Sequence, residues 1–154
     1  MTYTSRPIAP FKIDILSAGN PSSYTAGQKI PFTGTPNNTT ASVSSGQITI
    51  YEGSNWKLEY SAIFQGDAVT GQCQFEIQLY SVTDEDYIGH SAWGTTPNQN
   101  NLRKGRVVAS ALILSSEIST SKVIEARIVS QAQLAEPTYN FNGKPTLRVM
   151  ELPA

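Results

Sequence analysis

The clearest pattern in the chain is the strict alternation of polar and apolar residues over positions 72–79. Cys73, Phe75, Ile77 and Leu79 occupy every second position, and glutamine or glutamate fills the others. Because successive side chains of a β-strand point to opposite faces, this alternation predicts a half-buried strand with one apolar face. The opposite face must then contact water or other polar groups.

Similar short segments recur along the chain and are separated by glycine, proline and asparagine. The predicted strands cover residues 11–15, 48–51, 56–62, 72–79, 106–114, 122–129 and 147–152. Residues 83–104 are predicted as one long loop. No 12-residue window shows convincing helical periodicity. Short strands separated by turn residues predict an all-β fold, either a sandwich or a barrel.

Residues 106–114 differ from the other segments because both faces of the predicted strand are apolar. One face carries Val107, Ala109, Ala111 and Ile113, and the other carries Val108, Ser110, Leu112 and Leu114. A strand that is apolar on both sides is typically covered on both sides. The chain therefore has more inward-facing surface than the core of one sandwich requires.

The domain organisation predicted is a short extended arm at residues 1–20, followed by one domain at residues 21–154. The arm contains Pro7 and Pro10, and Asn20-Pro21 marks the break, because proline disfavours helical geometry in the residue before it. A chain of 154 residues is long enough to bury about two-thirds of its surface as a single unit.

Charge and composition limit the classes of partner that the sequence predicts. Charged residues make up 15% of the chain, and the net charge is −1. This balance gives no electrostatic footprint for DNA or RNA, so no nucleic-acid partner is expected. The sequence contains no apolar segment long enough to span a bilayer and no signal peptide, so we expect no membrane partner and synthesis in a cytoplasm. The single cysteine excludes an intrachain disulfide.

The search for catalytic chemistry gives no convincing site. His90 is the only histidine, and a triad with Ser91 and Asp86 is poorly placed because adjacent residues of an extended chain point in opposite directions. The acidic run at 84–86 lacks the spacing of a calcium loop. Nothing favours a carboxylate pair for glycoside hydrolysis. We expect a protein that is not an enzyme, with no catalytic residue, metal site or cofactor.

The order of several segments resembles the trimeric jelly roll of the tumour necrosis factor (TNF) and complement C1q superfamily, in particular its small versions in bacteriophage virion proteins. The segments that carry the resemblance are Lys29-Ile30-Pro31-Phe32-Thr33-Gly34, residues 46–50, Asn55-Trp56-Lys57-Leu58-Glu59-Tyr60-Ser61-Ala62, residues 75–79, Gly89-His90-Ser91 and the closing segment at 145–152. The resemblance implies a TNF/C1q-like jelly-roll β-sandwich that forms a homotrimer. The residues predicted to line the threefold axis are Tyr60, Val108, Leu112 and Leu147.

The function that follows from the resemblance is that of a structural virion protein, either a capsid decoration (cement) protein or a head-fibre knob. Only a short arm precedes the jelly roll, which favours these over a fibre with a long shaft. The arm residues Ile8, Phe11, Ile13 and Ile15 are predicted to add a strand to the major capsid protein, another virion protein or a neighbouring subunit. The expected location is the virion surface, after synthesis in the host cytoplasm.

The alternative function is a carbohydrate-binding or host-adhesion module. Trp93 and Tyr87 are predicted to lie in polar loops, where aromatic faces stack on sugar rings. A glycan on the host surface would then be the partner. The competing interpretation is that Trp93 packs over the end of the sandwich.

Overall fold

A computed structural model describes residues 11–21, 25–66, 73–95, 103–133, 139–140 and 145–154. These residues form eleven β-strands and one turn of 3-10 helix at Ser115–Glu117. The strands are β1 (Lys12–Ser17), β2 (Lys29–Ile30), β3 (Ser42–Ser44), β4 (Gln47–Tyr51), β5 (Ser54–Gly66), β6 (Cys73–Ser81), β7 (Asp86–Thr95), β8 (Arg103–Ile113), β9 (Ser121–Gln133), β10 (Tyr139–Asn140) and β11 (Thr146–Pro153).

The strands follow one antiparallel path in the order β1-β11-β5-β8-β7-β6-β9-β4-β3, with β10 beside β5 and β2 beside β9. We call β1, β11, β5 and β8 sheet I, and β7, β6, β9, β4 and β3 sheet II. The two sheets are joined where β7 meets β8, through the pair His90 and Ser110. This arrangement confirms the predicted all-β jelly-roll sandwich.

The core between the sheets is built from alternate positions of the strands. In sheet I, Trp56, Leu58 and Tyr60 of β5 are fully buried, and in sheet II, Ile77 and Leu79 of β6 are fully buried. Each large aliphatic or aromatic side chain that leaves water in this way contributes about 1.5–3 kcal/mol. Most of the other buried apolar side chains follow the same alternation in the neighbouring strands: Ile48, Ile50, Val107, Ala109, Ala111, Ile113, Ile124, Ala126, Ile128, Leu147 and Val149.

The alternation that predicted strand β6 is confirmed where the side chains are described. Ile77 and Leu79 face the core, while Glu76 and Gln78 are half-buried on the outer face. Cys73 and Phe75 belong to the same strand, but their side chains lie outside the described part of the chain.

The segment predicted as a loop at 83–104 contains strand β7. Its pairing with β6 runs from Leu79 opposite Ile88 to Ile77 opposite Ala92, so that Gln78 alone faces the three residues 89–91. This bulge disrupts the alternation by which a strand is recognised in a sequence. The Gln78 side chain donates a hydrogen bond from Nε2 to the carbonyl oxygen of Gly89 at 3.0 Å, which satisfies a backbone group that the bulge leaves unpaired.

The arm predicted at residues 1–20 includes a strand of the sandwich. The six residues Lys12–Ser17 form β1, which pairs with β11 from Lys12 opposite Glu151 to Ser17 opposite Thr146. These residues therefore belong to the folded sheet. The predicted division stays a prediction for residues 1–10, which lie outside the described residues.

Two buried carboxylates fix the segment that follows Gly34 against sheet I. Asp14 of β1 accepts hydrogen bonds from the backbone N–H groups of Asn37, Asn38 and Thr39 and from the Thr39 hydroxyl, at 2.7–3.1 Å. Glu151 of β11 accepts hydrogen bonds from the backbone N–H and hydroxyl of Thr40 at 2.8 and 2.9 Å. Charged groups are tolerated at such buried positions because each makes several hydrogen bonds.

Candidate functional site

The outer face of sheet I exposes aliphatic side chains that nothing in the described protomer covers. Ile15 is 65% exposed, Leu112 is 61% exposed, Ile63 is 44% exposed and Val108 is 39% exposed. We call these four residues and the polar side chains between them the aliphatic face. Isolated exposed apolar residues are ordinary on protein surfaces, but several on one sheet face indicate a contact surface.

The strand register shows how the aliphatic face is organised. Leu112 lies opposite Lys57, and Lys57 lies opposite Met150 on the next strand. One row further along, Arg148 stands between Ile15 and Glu59. The aliphatic side chains therefore alternate with a few long charged ones whose stems also cover apolar surface.

The four residues predicted for a threefold axis divide between two faces. Val108 and Leu112 lie on the aliphatic face, as the prediction requires. Tyr60 and Leu147 point into the core and are fully buried, so they have no exposed surface to place on an axis. The reason is strand parity, because Tyr60 shares the core side of β5 with Trp56 and Leu58 at alternate positions.

The predicted anchoring residues of the arm lie beside the same face. Phe11 is 57% exposed at the start of β1, and Ile13, which is half-buried, lies opposite Met150. Ile15 belongs to the aliphatic face itself. Ile8 lies outside the described residues.

The outer face of sheet II carries a different set of side chains. Trp93 of β7 is 55% exposed and lies opposite Glu76 of β6, which in turn lies opposite Ser130 of β9. The Ser130 hydroxyl donates a hydrogen bond to Oε2 of Glu76 at 3.0 Å. Gln78 is on the same side of β6, two positions further on. We call Trp93, Glu76, Gln78 and Ser130 the tryptophan face.

Beside the tryptophan face, a network of side chains in mutual contact covers the outer surface of sheet II. The guanidinium of Arg127 lies 3.4 Å from the centre of the Tyr80 ring. Tyr87 meets Tyr80 edge to face, with ring centres 5.1 Å apart and an angle of 74°. Arg127 also donates to Glu125, and Gln47 donates to the other oxygen of that carboxylate at 2.8 Å. The hydrogen bonds and the charge of Glu125 outweigh the burial that opposes ionisation, and they raise the pKa of Arg127 above its usual value.

The two residues predicted to contact a glycan lie at opposite ends of strand β7 rather than in loops. Tyr87 is half-buried, and its ring is occupied by the contact with Tyr80. Trp93 retains an open surface. The structure therefore separates the two residues. The network around Arg127 was not predicted, because Tyr80, on which Arg127 stacks, is distant from it in sequence.

The candidate catalytic residues do not assemble into a site within the described residues. His90, Ser91 and Asp86 are all exposed in β7, and among the hydrogen bonds between described residues none joins His90 to either of the other two.

Asp84 stabilises the turn between β6 and β7. Its side chain forms an ion pair with Lys122 at 2.7 Å and accepts a hydrogen bond from the Ser81 hydroxyl at 2.7 Å. The Lys122 contact and then the Ser81 hydrogen bond lower the pKa of Asp84.

Neither a metal cluster nor a membrane-spanning helix is found in the part of the chain that the structure describes. It contains no group of three or more histidine, cysteine, aspartate or glutamate side chains placed to hold a metal ion. None of its helical segments is long and apolar enough to cross a bilayer.

Comparison with solved structures identifies the fold. The crystal structure of murine APRIL at pH 5.0, a TNF-family protein, superposes with a TM-score of 0.59 at 11% sequence identity. It covers 93% of this chain and 100% of the APRIL chain. A second crystal structure of murine APRIL, at pH 8.0, gives a TM-score of 0.57 at 9% identity with the same coverage. The chain therefore has a TNF-like jelly-roll fold.

The sequence comparisons add no closer relationship. No protein-family model matches the chain, and no curated protein matches it. At identities this low, the likeness to APRIL establishes the fold and not the function.

Proposed function

We propose that this protein is a structural, non-enzymatic homotrimer whose subunits contact one another through the aliphatic face, and that the trimer binds the capsid surface of a bacteriophage. The observation that carries the proposal is the exposure of Ile15, Ile63, Val108 and Leu112 on one side of sheet I. The TNF-like fold and the resemblance to virion proteins supply the rest.

Further copies of the same chain are the favoured occupants of the aliphatic face. Leu112 and Val108 lie on β8, next to the strand β5 that carries Ile63. Covering these side chains removes apolar area from water, and the hydrophobic contribution grows with the area buried. A closed ring of three subunits would bury this face in every copy. It would also protect strand β1, which ends the described order of sheet I, from open-ended pairing.

The capsid contact is assigned to the residues that precede β1. Ile8 and the exposed Phe11 are apolar residues suited to strand addition on a capsid protein, because backbone hydrogen bonds then supply affinity and side chains supply specificity. Ile13 and Ile15 are held in β1 by β11, so they are assigned to the subunit contact instead. The partner in this proposal is the major capsid protein or another virion protein, and the location is the virion surface after synthesis in the host cytoplasm.

The experiment that tests the assembly is light scattering of the purified protein after size exclusion. The proposal expects a mass of about 50 kDa, three times the 16.7 kDa of one chain, that persists on dilution. A mass of one chain at all concentrations would contradict it.

The capsid contact is tested separately by removing residues 1–11, which include Ile8 and Phe11, and measuring co-sedimentation with purified phage capsids. This deletion leaves β1 and the Asp14 hydrogen bonds intact, so the truncated protein should keep its trimer mass. Loss of co-sedimentation with an unchanged mass supports the proposed contact. Full co-sedimentation of the truncated trimer would assign capsid binding to another surface.

A further inference from the structure

We infer that the tryptophan face is a binding site for uncharged oligosaccharides, with Trp93 as the platform on which a sugar ring stacks. The site lies on sheet II, on the opposite side of the sandwich from the aliphatic face. It does not depend on the trimer, and the two proposals can fail independently.

The environments of the two tryptophans identify Trp93 as a contact residue. Trp56 is fully buried in the core and donates its indole N–H to the carbonyl oxygen of Tyr51 at 2.9 Å. Trp93 has neither role, since more than half of its surface is exposed. Its strand is paired with β6 on one side along most of its length. The backbone at Trp93 is therefore fixed by its pairing with Glu76, which reduces the conformational freedom lost when a ligand covers the indole.

The polar neighbours of Trp93 keep hydrogen-bonding capacity. Oε2 of Glu76 accepts from Ser130, but its Oε1 makes no hydrogen bond with any described residue. Gln78 donates through Nε2 to Gly89, and its amide oxygen likewise makes no hydrogen bond within the described part of the chain. Residues two apart on one face of a strand are separated by about 7 Å, so both acceptors lie within the span of a sugar unit.

A hexose ring matches this combination. One face of the ring is made of C–H groups, which suit an indole surface, and its rim carries hydroxyl groups that donate to carboxylate and amide oxygens. A ligand that supplied only apolar surface would leave the Glu76 carboxylate desolvated and unpaired, at a cost in free energy.

The charges on sheet II favour an uncharged ligand. Glu125 and Arg127 form an ion pair, and Lys29 donates to the carbonyl oxygen of Ser45 at 2.8 Å. The acidic residue Glu76 lies directly opposite Trp93 on the neighbouring strand. An acidic sugar or a phosphate stacked on Trp93 would meet this carboxylate and be repelled.

A protein partner is a poorer match for the same surface. The centre of a protein interface is usually apolar and depleted in charge. The described cross-strand neighbours of Trp93 on this face are Glu76 and Ser130, both polar. The aliphatic face, with four exposed aliphatic side chains, is the better match for such a partner.

The site centres on Trp93 rather than Tyr87. One face of Tyr80 is covered by Arg127, and the half-buried Tyr87 contacts Tyr80 edge to face, so both tyrosines are engaged with neighbours in sheet II. This assigns them to the support of sheet II.

The test begins with the full chain on an array of neutral oligosaccharides and their sialylated counterparts. Any neutral oligosaccharide that binds is then titrated while tryptophan fluorescence is recorded. Because Trp56 is buried, a ligand-dependent change in emission reports on Trp93, and the remaining emission shows that the core is intact. The variants are Trp93→Ala and Glu76→Ala, with Phe11→Ala as the control, because Phe11 is an equally exposed aromatic on sheet I.

The expected result is binding of a neutral oligosaccharide that Trp93→Ala weakens by about tenfold or more, and Glu76→Ala by a smaller factor, while Phe11→Ala leaves it unchanged. The inference is overturned by no binding to any neutral oligosaccharide, by binding restricted to sialylated ones, or by binding that survives Trp93→Ala. The mass of each variant by light scattering shows whether the assembly has changed, so failure of the sugar site is distinguishable from failure of the trimer.

Discussion

The outer faces of the two sheets cover the same core from opposite sides, yet they present different side chains to solvent. On sheet I the exposed positions of β5 and β8 carry Ile63, Val108 and Leu112. On sheet II the exposed position at Trp93 is bordered by a carboxylate and a hydroxyl. Since both faces are made of antiparallel strands with alternating side chains, the difference lies in the outward-pointing residues and not in the backbone. The core specifies the fold, and the outer positions specify what it contacts.

The two faces are also held in place by different interactions. Sheet I is fixed near β1 by Asp14 and Glu151, whose carboxylates bind backbone N–H groups of the segment 37–40. On the outer surface of sheet II, stacked and hydrogen-bonded side chains surround Arg127. A carboxylate that binds backbone is sensitive to acid, whereas an arginine stacked on a tyrosine keeps its charge across the whole working pH range. The two faces should therefore respond differently to pH.

The substitution Gly89→Ala should disrupt both faces at once and have the largest effect. Gly89 lies where β7 meets β8, and a Cβ at this position would clash with the carbonyl oxygen of Ser110 and come 2.7 Å from Cα of Ala111. Its φ of +70° is also unfavourable for other residues. We expect a loss of about 4 kcal/mol or more in unfolding free energy, measured by urea denaturation.

The matched control for Gly89 is Gly53→Ala. Gly53 also has a positive φ, of +93°, but no heavy atom lies within 4 Å of the position that a methyl group would take there. Strain alone should then cost about 1–2 kcal/mol. Equal losses for the two variants would show that the close approach of β7 to Ser110 is not what limits the residue at position 89.

The substitution Leu112→Glu should affect the aliphatic face alone. A carboxylate at this 61% exposed position would be desolvated in the proposed trimer, while the free subunit would tolerate it in water. We expect the mass from light scattering to fall from three chains to one, with the circular dichroism spectrum unchanged.

Its control is Trp93→Glu, which places the same charge on the other face at similar exposure. This variant should keep the trimer mass. If both variants remained trimeric, subunit contact through the aliphatic face would be refuted.

The substitution Asp14→Asn tests whether the acid sensitivity of sheet I comes from the Asp14 carboxylate. Burial would raise the pKa of Asp14, but hydrogen bonds from the backbone N–H groups of Asn37, Thr39 and Asn38 and from the Thr39 hydroxyl outweigh it and lower the pKa to about 2, from an ordinary 3.8. A lowered native pKa means that the stabilisation is complete above about pH 4 and is lost as the pH falls toward 2. Asp14→Asn should cost about 1–2 kcal/mol at pH 7 and reduce the dependence of stability on pH in this window.

The measurement for Asp14 is urea unfolding at pH 7 and at several values between pH 4 and 2. Glu52→Gln serves as the control, because Glu52 is exposed in a turn. An unchanged acid profile in Asp14→Asn would assign the acid sensitivity to another carboxylate, with Glu151 the next to test. There, burial would raise the pKa, but the hydrogen bonds from Thr40 and Ser54 lower it below its usual value.

The substitution Gln78→Leu should have the smallest effect on stability and a specific one on the tryptophan face. It removes the 3.0 Å hydrogen bond to Gly89 and leaves that carbonyl to water, because the bond is exposed. We expect a loss of about 1 kcal/mol in unfolding free energy and weaker binding of the neutral oligosaccharide. The control is Thr49→Val, a change of nearly equal size on the same face of sheet II, which should alter neither the unfolding free energy nor oligosaccharide binding. Equal losses in the two variants would show that the hydrogen bond between Gln78 and Gly89 is not the cause.

The fold could be predicted from the sequence because the side chains of its strands alternate between the core and the outer face. The alternation around Ile77 and Leu79 predicted a strand with the correct core-facing side, and the segment from Trp56 onward was correctly predicted to be a strand. Strand β7 was missed for a physical reason. Three residues, Gly89 to Ser91, oppose one, so the period of two is lost where the strand crosses from one sheet to the other.

The outer surfaces could be predicted from the sequence only in part. Two apolar sides on β8 correctly indicated that apolar residues lie on its outer face as well as in the core. The pattern alone does not say which side faces the core, so Tyr60 was placed beside Leu112 although parity separates them. The carboxylate contacts of Asp14 and Glu151 join residues 23 to 111 positions apart, and no local pattern indicates such partners. The same holds for Arg127 and Tyr80.

The pairing of β1 with β11 has a mechanical consequence. The two strands are antiparallel, with Lys12 opposite Glu151 and Ser17 opposite Thr146, so the chain enters and leaves this pair at the same end of the sandwich. A pulling force applied between those two points would load the hydrogen bonds one after another, as in a zipper, rather than all together in shear. Tension from a tethered amino terminus would therefore peel away a single edge strand, while the other strands of sheet I, paired through β5, would stay in register.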